Sequence, residues 1–427
     1  MVIFKENLFL VFMKYILILF VVLNSKTVYF GIIHNTLTQY TFIVLFIIGL
    51  FFIRISIRAI KINLTRFTLM LLYILINVFI NFSGMGSSHF KIVIIFVINI
   101  ILMSFICSQF TNFEIANVYV NLMSIIAIIS LICFSLAIFS PDIPSKFATT
   151  YQAGSNGNYV LSPFYMWGWG RIATRNSGLF WEPGAFQAFI MVALLMTLLV
   201  LLPISQNMKN LKKLKAQFII FCITILTTQS TTSYILFILL ITVFYKDVKE
   251  LFLTNSSKNG RLIKGFVTFI FISIGIYYVF ASNNISDKFS GMGNEYSSVA
   301  IRMNDTIQSI NLIKEGGFVG LGKTDNTKNM EVMNDINNNS NGIMNMLYTY
   351  GLFFGAIYIF FYKKGIDSFF IISKSRKKYF LYLVFIIFNF TEGFYWLSFF
   401  ILFLFETKTY KFEYLKSKDI KIIGGDE

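Results

Sequence analysis

The sequence predicts an all-α, polytopic membrane protein, and three observations carry that prediction. Hydrophobic residues make up 56% of the 427 and charged residues only 13%, with a mean hydropathy of +0.70. A soluble chain carries about 25% charged residues, so this one has too little charge to cover a water-exposed surface. The apolar residues fall in runs separated by polar breaks, about twelve in all, of the kind that cross a bilayer as helices. The basic residues gather in alternate breaks, as they do in a chain threaded back and forth through a membrane.

The first run, 8–23, follows Lys5, contains Lys14 and has no small-residue cleavage site after it, which predicts an uncleaved helix and not a removable signal peptide. The next runs are 41–53, 67–82, 92–110, 118–139, 185–202, 216–227, 233–245, 262–280, 343–362, 379–390 and 393–405. Several are shorter than the ~20 residues of a straight span, so tilted or broken helices are expected. The resulting plan has N-terminal spans in 1–140, a first outer loop over 141–184 and central spans over 185–281. A second outer loop over 282–342, C-terminal spans over 343–407 and a cytoplasmic tail over 408–427 complete it.

Charge sets the direction. Arg54, Arg58, Lys61 and Arg66, then Lys209, Lys212, Lys213 and Lys215, then Lys246, Lys249, Lys258, Arg261 and Lys264 mark breaks on one side. Lys363, Lys364, Lys374, Arg376, Lys377, Lys378 and the basic tail fall on that side too, which the positive-inside rule makes cytoplasmic. The net charge of +16 is therefore a topology signal, and no nucleic-acid partner is expected. Cys107, Cys133 and Cys222 each lie within apolar runs, and His34 and His89 stand far apart, so neither a disulfide framework nor a metal cluster is expected.

The candidate chemistry lies in the two long outer loops. The first holds Arg171, Arg175, Asn176, Gly178, Glu182 and Pro183 directly before an apolar run, together with Trp167, Trp169 and Trp181. A guanidinium is permanently charged and grips phosphate oxygens with a planar fork, which suits an arginine pair at a membrane surface to a diphosphate; interfacial anchoring is the alternative. The tryptophans fit a stacking platform for sugars, or an interfacial aromatic belt. Glu182 is a candidate base, or else an ion-pair partner of Arg175 or a cap for the helix after Pro183.

The second loop carries Arg302 on an amphipathic helix expected over 299–313, a Gly-rich turn at Gly316, Gly317, Gly320 and Gly322, and the pair Ser340-Asn341. That turn lacks the Lys-Ser/Thr of a phosphate-binding P-loop. Glu392 and Tyr395 sit at the expected outer tip of the last helical hairpin, where a carboxylate is costly and tends to be functional or simply wet.

Three motifs in this order resemble the superfamily of Wzy-type O-antigen and capsule polymerases and O-antigen ligases: Arg175-x-x-Gly178-x-Phe-x-Glu182-Pro, the break Thr227-Thr-Gln-Ser230-Thr-Thr-Ser233, and Arg302…Gly320-Leu-Gly322…Ser340-Asn341. The likeness runs from about residue 139 to 405 and leaves the N-terminal spans without a signature. Ligases of this superfamily typically show His-Asn where this chain has Ser340-Asn341, which favours a polymerase.

The resemblance implies a GT-C-like membrane glycosyltransferase acting at the outer face of a bacterial cytoplasmic membrane. It would join a glycan on undecaprenyl diphosphate to the non-reducing sugar of a new undecaprenyl-diphosphate-linked repeat unit, without a cofactor. Arg171, Arg175 and Arg302 would hold the diphosphate and Glu182 would be the first candidate base, with Glu392, Asp287 and Glu295 behind it. Asn176, Trp167, Trp169, Trp181, Ser340, Asn341, Glu392 and Tyr395 would contact substrate. A flippase and a chain-length regulator are the expected protein partners. A ligase, a lipid-linked oligosaccharide flippase and a non-catalytic scaffold remain as alternatives.

Overall fold

The structure is a computed structural model and describes residues 8–25, 27–28, 57–84, 87–140, 142–152, 158–162, 164–169, 175–204, 208–253, 298–322, 341–370 and 376–407. It is mostly helical. The chain begins with α1 (Leu8–Leu23), α2 (Ile57–Ile80), α3 (Ser87–Gln109) and α4 (Asn112–Phe139). A reciprocal capping box opens α4: Thr111 N–H donates to Glu114 Oε2 at 2.7 Å, and Glu114 N–H donates to Thr111 Oγ1 at 3.2 Å.

A short α5 (Asp142–Phe147) leads into the strands β1 (Thr149–Gln152), β2 (Asn158–Ser162) and β3 (Tyr165–Trp169). Then come α6 (Pro183–Met196), prolonged by a π turn and a 3-10 turn to Ile204, α7 (Met208–Thr228), α8 (Thr231–Val243) and α9 (Tyr245–Leu253). The last helices are α10 (Ser298–Gly316), α11 (Gly342–Phe370) and α12 (Arg376–Thr391), followed by short helical turns from Phe394 to Leu404.

Among the described residues, five helices are long and apolar enough to cross a membrane, over Asn63–Ile80, Phe90–Gln109, Asn112–Phe139, Pro183–Ile204 and Gly342–Phe370. Shorter apolar helices occupy Val11–Leu23 and Thr231–Val243. The expected spans at 41–53 and 262–280 lie outside the described residues. The expected span at 393–405 is not a single helix. Its backbone is extended at Leu397 (φ −75, ψ 133), and Phe399, Phe400, Phe403 and Phe405 are all buried, so the segment fills an interior and does not face lipid.

The stretch expected as the first outer loop departs from the all-α expectation. It forms an antiparallel sheet in the order β1-β2-β3, with Thr150 opposite Val160, Val160 opposite Gly168, and an irregularity between Val160 and Leu161. Alternation along the strands gives the sheet two apolar faces. Tyr165 and Trp167 pack against Phe134 of α4, while Met166 and Leu161 pack against Val28 and Trp181. Leu161, Tyr165, Met166 and Trp167 are buried, whereas Thr149, Thr150 and Tyr151 of β1 are exposed.

The chain divides into two compact units that interleave in sequence: residues 1–50 with 118–304, and 51–117 with 305–427. In the first, α6 is the central helix, buried along almost its whole length, and Tyr119 of α4 donates to the Phe189 carbonyl at 2.9 Å. Polar side chains within its helices bond one another: Gln217 Nε2 donates to Asn121 Oδ1, and Asn121 Nδ2 donates to the Tyr15 hydroxyl. In the second, Asn63 donates to Ser108 and to the Glu406 carbonyl, and Arg66 bonds the Leu404 carbonyl and the Glu406 carboxylate.

The second unit also holds a broken helix. Gly351 adopts φ 87 and ψ 165 inside α11, and the turn after α10 pairs with the opened backbone. Leu321 N–H donates to the Tyr348 carbonyl at 2.8 Å and Gly322 N–H to the Thr349 carbonyl at 2.9 Å. On α2, Tyr73 and Asn77 donate to the carbonyls of Phe318 and Val319. The expected Gly-rich turn is thus present, and it serves to close a gap in a helix.

Candidate functional site

In the first unit, residues 175–182 form a turn pinned by three backbone hydrogen bonds. Asn176 N–H donates to the Thr227 carbonyl at 3.0 Å, Met166 N–H to the Gly178 carbonyl at 2.8 Å, and Val28 N–H to the Leu179 carbonyl at 2.9 Å. Gly178 sits at φ +55, and a Cβ there would lie 2.7 Å from the Phe186 ring, so glycine is required on both counts. Asn176 is fully buried. Its Nδ2 donates to Thr227 Oγ1 at 2.9 Å and to Ser130 Oγ at 3.2 Å, and its Oδ1 accepts from Gly178 N–H at 3.0 Å. Both amide donors are engaged inside the protein. Asn176 is therefore a structural tie within this turn.

Arg175 donates Nε–H to the Thr228 carbonyl at 3.3 Å, which fixes the guanidinium at the end of α7. Its terminal Nη groups make no hydrogen bond among the described residues. Burial pulls this guanidinium below its ordinary value, while the Glu182 carboxylate and the Tyr234 hydroxyl act to keep it charged. Glu182 occupies the N-cap position of α6 in extended backbone (φ −156, ψ 160) and makes no side-chain cap bond. Its Oε1 is buried and has no hydrogen-bond partner. Neither structural role open to Glu182 is realised: it does not cap, and it forms no direct ion pair with Arg175 among the described residues. A Cβ at Gly184 would come within 3.3 Å of that oxygen, so glycine keeps the space beside the carboxylate open.

The tryptophans are less exposed than a sugar platform requires. Trp167 is 4% exposed and stands edge-on to Tyr165 at 4.7 Å between ring centroids, as part of the sheet's core. Trp181 is half-buried against Val28, Leu161 and Met166. Trp169 ends β3, and its side chain lies outside the described residues, as do Arg171 and Ser340 altogether. Arg302 lies on α10, close to the expected 299–313 helix, with its side chain likewise outside the described residues. The candidates Asp287 and Glu295 fall there too.

In the second unit, Asn341 caps α11: its Oδ1 accepts from Met344 N–H at 3.2 Å, and its Nδ2 donates to Thr306 Oγ1 at 3.4 Å. The cap abuts the turn that carries Glu392. A Cβ on Gly342 would lie 2.6 Å from the Asn389 carbonyl oxygen and 2.7 Å from Gly393 Cα. Tyr395 is buried and donates to Asn345 Oδ1 at 2.9 Å, while Asn345 Nδ2 donates to the Tyr348 hydroxyl at 2.9 Å. Asn341, Glu392 and Tyr395 are thus gathered around the start of α11, a juxtaposition that sequence reasoning did not anticipate.

No protein-family model matches the chain, and no curated protein matches it.

Sequence reasoning missed Asn345 and Gln187, and placed Ser233 only in the 227–233 break without giving it a role. Asn345 lies one helical turn beyond Asn341, a spacing that would have shown it. Gln187 and Ser233 are buried, and each has a side-chain oxygen without a hydrogen-bond partner. No sequence pattern marks that property. Among the described residues, no group of three or more His, Cys, Asp or Glu is placed to hold a metal ion.

Proposed function

We propose that this chain is a polysaccharide polymerase. It transfers a growing glycan from undecaprenyl diphosphate to the non-reducing end of a new undecaprenyl-diphosphate-linked repeat unit. The full chain crosses the cytoplasmic membrane about twelve times in a GT-C-like arrangement, and the Arg175–Glu182 stretch faces the outside. A flippase supplies the repeat units and a chain-length regulator acts beside it.

One observation carries the reading. A half-buried arginine bonded through Nε, and a buried carboxylate oxygen with no partner, lie in electrostatic reach of one another at the start of an apolar helix. Buried polar groups are normally satisfied within the protein, and an exception asks for an explanation. A glycosyl diphosphate and an acceptor hydroxyl meet both needs.

In the transfer, the bond from the anomeric carbon to the diphosphate oxygen breaks and the bond to the acceptor oxygen forms. Arg175, with Arg171 and Arg302, stabilises the negative charge that collects on the departing diphosphate. Glu182 takes the acceptor proton as the new bond forms. The bond to diphosphate supplies the driving force, so no nucleotide is consumed.

The test is chain length in cells that carry Glu182→Gln or Glu182→Ala at wild-type protein levels. Loss of a positioned base lowers turnover by roughly 10²–10⁴. Both variants are therefore expected to leave single repeat units and no long chains. Near-normal chain lengths in both would remove Glu182 from the mechanism.

A further inference from the structure

α7 ends at Thr228 and α8 begins at Thr231, with Gln229 in the left-handed region at φ 48 turning the chain between them. The Arg175–Glu182 stretch lies against this break, because Asn176 N–H and Arg175 Nε–H both reach carbonyls at the end of α7. The first amides of a helix have no acceptor within it, and Ser230, at the N-cap of α8, makes no side-chain cap bond. α8 is 13 residues long, so its N-terminus carries the positive end of a developed helix dipole.

Ser233, in the same first turn, is fully buried, and its Oγ has no hydrogen-bond partner. Several helical hydroxyls in this protein bond the carbonyl one turn back, as Ser124, Thr197 and Thr224 do. The Cα–Cβ bond of a helical residue leans toward the N-terminus, so the Ser233 hydroxyl is aimed over the open end of α8. Unmet donors of three kinds meet at this break: main-chain amides, a serine hydroxyl and the Nη fork of Arg175. An acceptor-rich anion can satisfy them together.

From this juxtaposition we infer that Ser233 and the first turn of α8 bind a phosphate oxygen of the diphosphate, opposite the fork of Arg175. The inference rests on the diphosphate-linked donor proposed above and adds the residues that hold its leaving group. Ser233 is a binding residue for the anion, and it takes no proton in the reaction.

The experiment is equilibrium binding to the full-length protein in lipid nanodiscs, with inorganic pyrophosphate and a short polyprenyl diphosphate as probes. Thermal unfolding is measured alongside. A hydrogen bond to a charged group is worth about tenfold or more in affinity, so Ser233→Ala is expected to weaken both probes by at least that factor. Its unfolding temperature should not fall, because the variant removes a buried hydroxyl that bonds nothing in the free protein. A structural role for Ser233 predicts the opposite pair of results, a lower unfolding temperature with unchanged affinity, and that would overturn the inference.

Arg175→Gln separates the two levels. If it loses both probes while Ser233→Ala binds like wild type, the arginine clamp stands and the role of Ser233 falls. If Arg175→Gln also binds like wild type, the diphosphate reading falls with it. If Ser233→Ala weakens only the polyprenyl probe, the serine reads lipid and not phosphate, and the assignment is wrong.

Discussion

Asn176 and Glu182 belong to one turn-rich stretch and differ in what their polar atoms do. The amide of Asn176 is consumed by Ser130, Thr227 and Gly178, whereas Oε1 of Glu182 bonds nothing. Asn176→Ala should therefore cost about 1–3 kcal/mol, read as a lower unfolding midpoint in detergent, because it leaves buried partners unsatisfied. Glu182→Gln should leave that midpoint where it is while polymer is lost. A midpoint that falls as far for Glu182→Gln as for Asn176→Ala would make the carboxylate structural.

Residue type alone made the Arg175–Glu182 stretch legible. It could not separate Asn176 from Glu182, because both are polar residues beside glycine and proline. Nor could it single out Ser233 among the six hydroxyl residues Thr227, Thr228, Ser230, Thr231, Thr232 and Ser233, since what distinguishes it is full burial without a partner.

Among the elements, the break in α11 is held by its neighbours. A Cβ on Gly351 would lie 2.6 Å from Gly320 N, and left-handed backbone costs a side-chain-bearing residue about 1–2 kcal/mol before any clash. Asn77 donates to the Val319 carbonyl at 2.6 Å and the Thr349 carbonyl at 3.2 Å, bracketing the break from α2. Asn77→Ala should lower the unfolding midpoint, and Gly351→Ala should lower it further. If Gly351→Ala unfolds at the wild-type temperature, the helix is continuous there and the break is not part of the fold.

The glycines and the apolar runs were visible in the sequence. Their pairing was not, because it joins segments far apart in the chain. The sheet of the first outer loop was missed for a related reason. Tyr165 and Trp167 alternate with Met166 as a strand requires, but three short strands separated by Gly and Pro leave no long period to detect. The same tryptophan that looked like an exposed platform is a core residue once the strands pair.

For the whole molecule, composition was decisive: a chain with 13% charged residues and long Ile- and Phe-rich runs folds as apolar helices, five of them among the described residues long enough to cross a bilayer. The division into units was not legible, since each unit is assembled from separated stretches of chain. The charge pattern predicts direction. With a membrane-impermeant maleimide applied from outside, Arg302→Cys and Asn337→Cys should label in intact cells, and Lys212→Cys only after the membrane is opened. Labelling of Lys212→Cys alone in intact cells would invert the topology and place Arg302 away from the outer face.

The central claim is tested most directly by the surface polysaccharide ladder of a strain that lacks this gene, complemented with wild type or with Arg175→Gln at matched expression. The account predicts a full ladder with wild type. Without a working copy, it predicts a single repeat unit still attached to its final acceptor, because flipping and ligation survive when polymerisation fails. Long polymer accumulating on the lipid carrier would contradict it in favour of ligation, and repeat units trapped at the cytoplasmic face would contradict it in favour of transport.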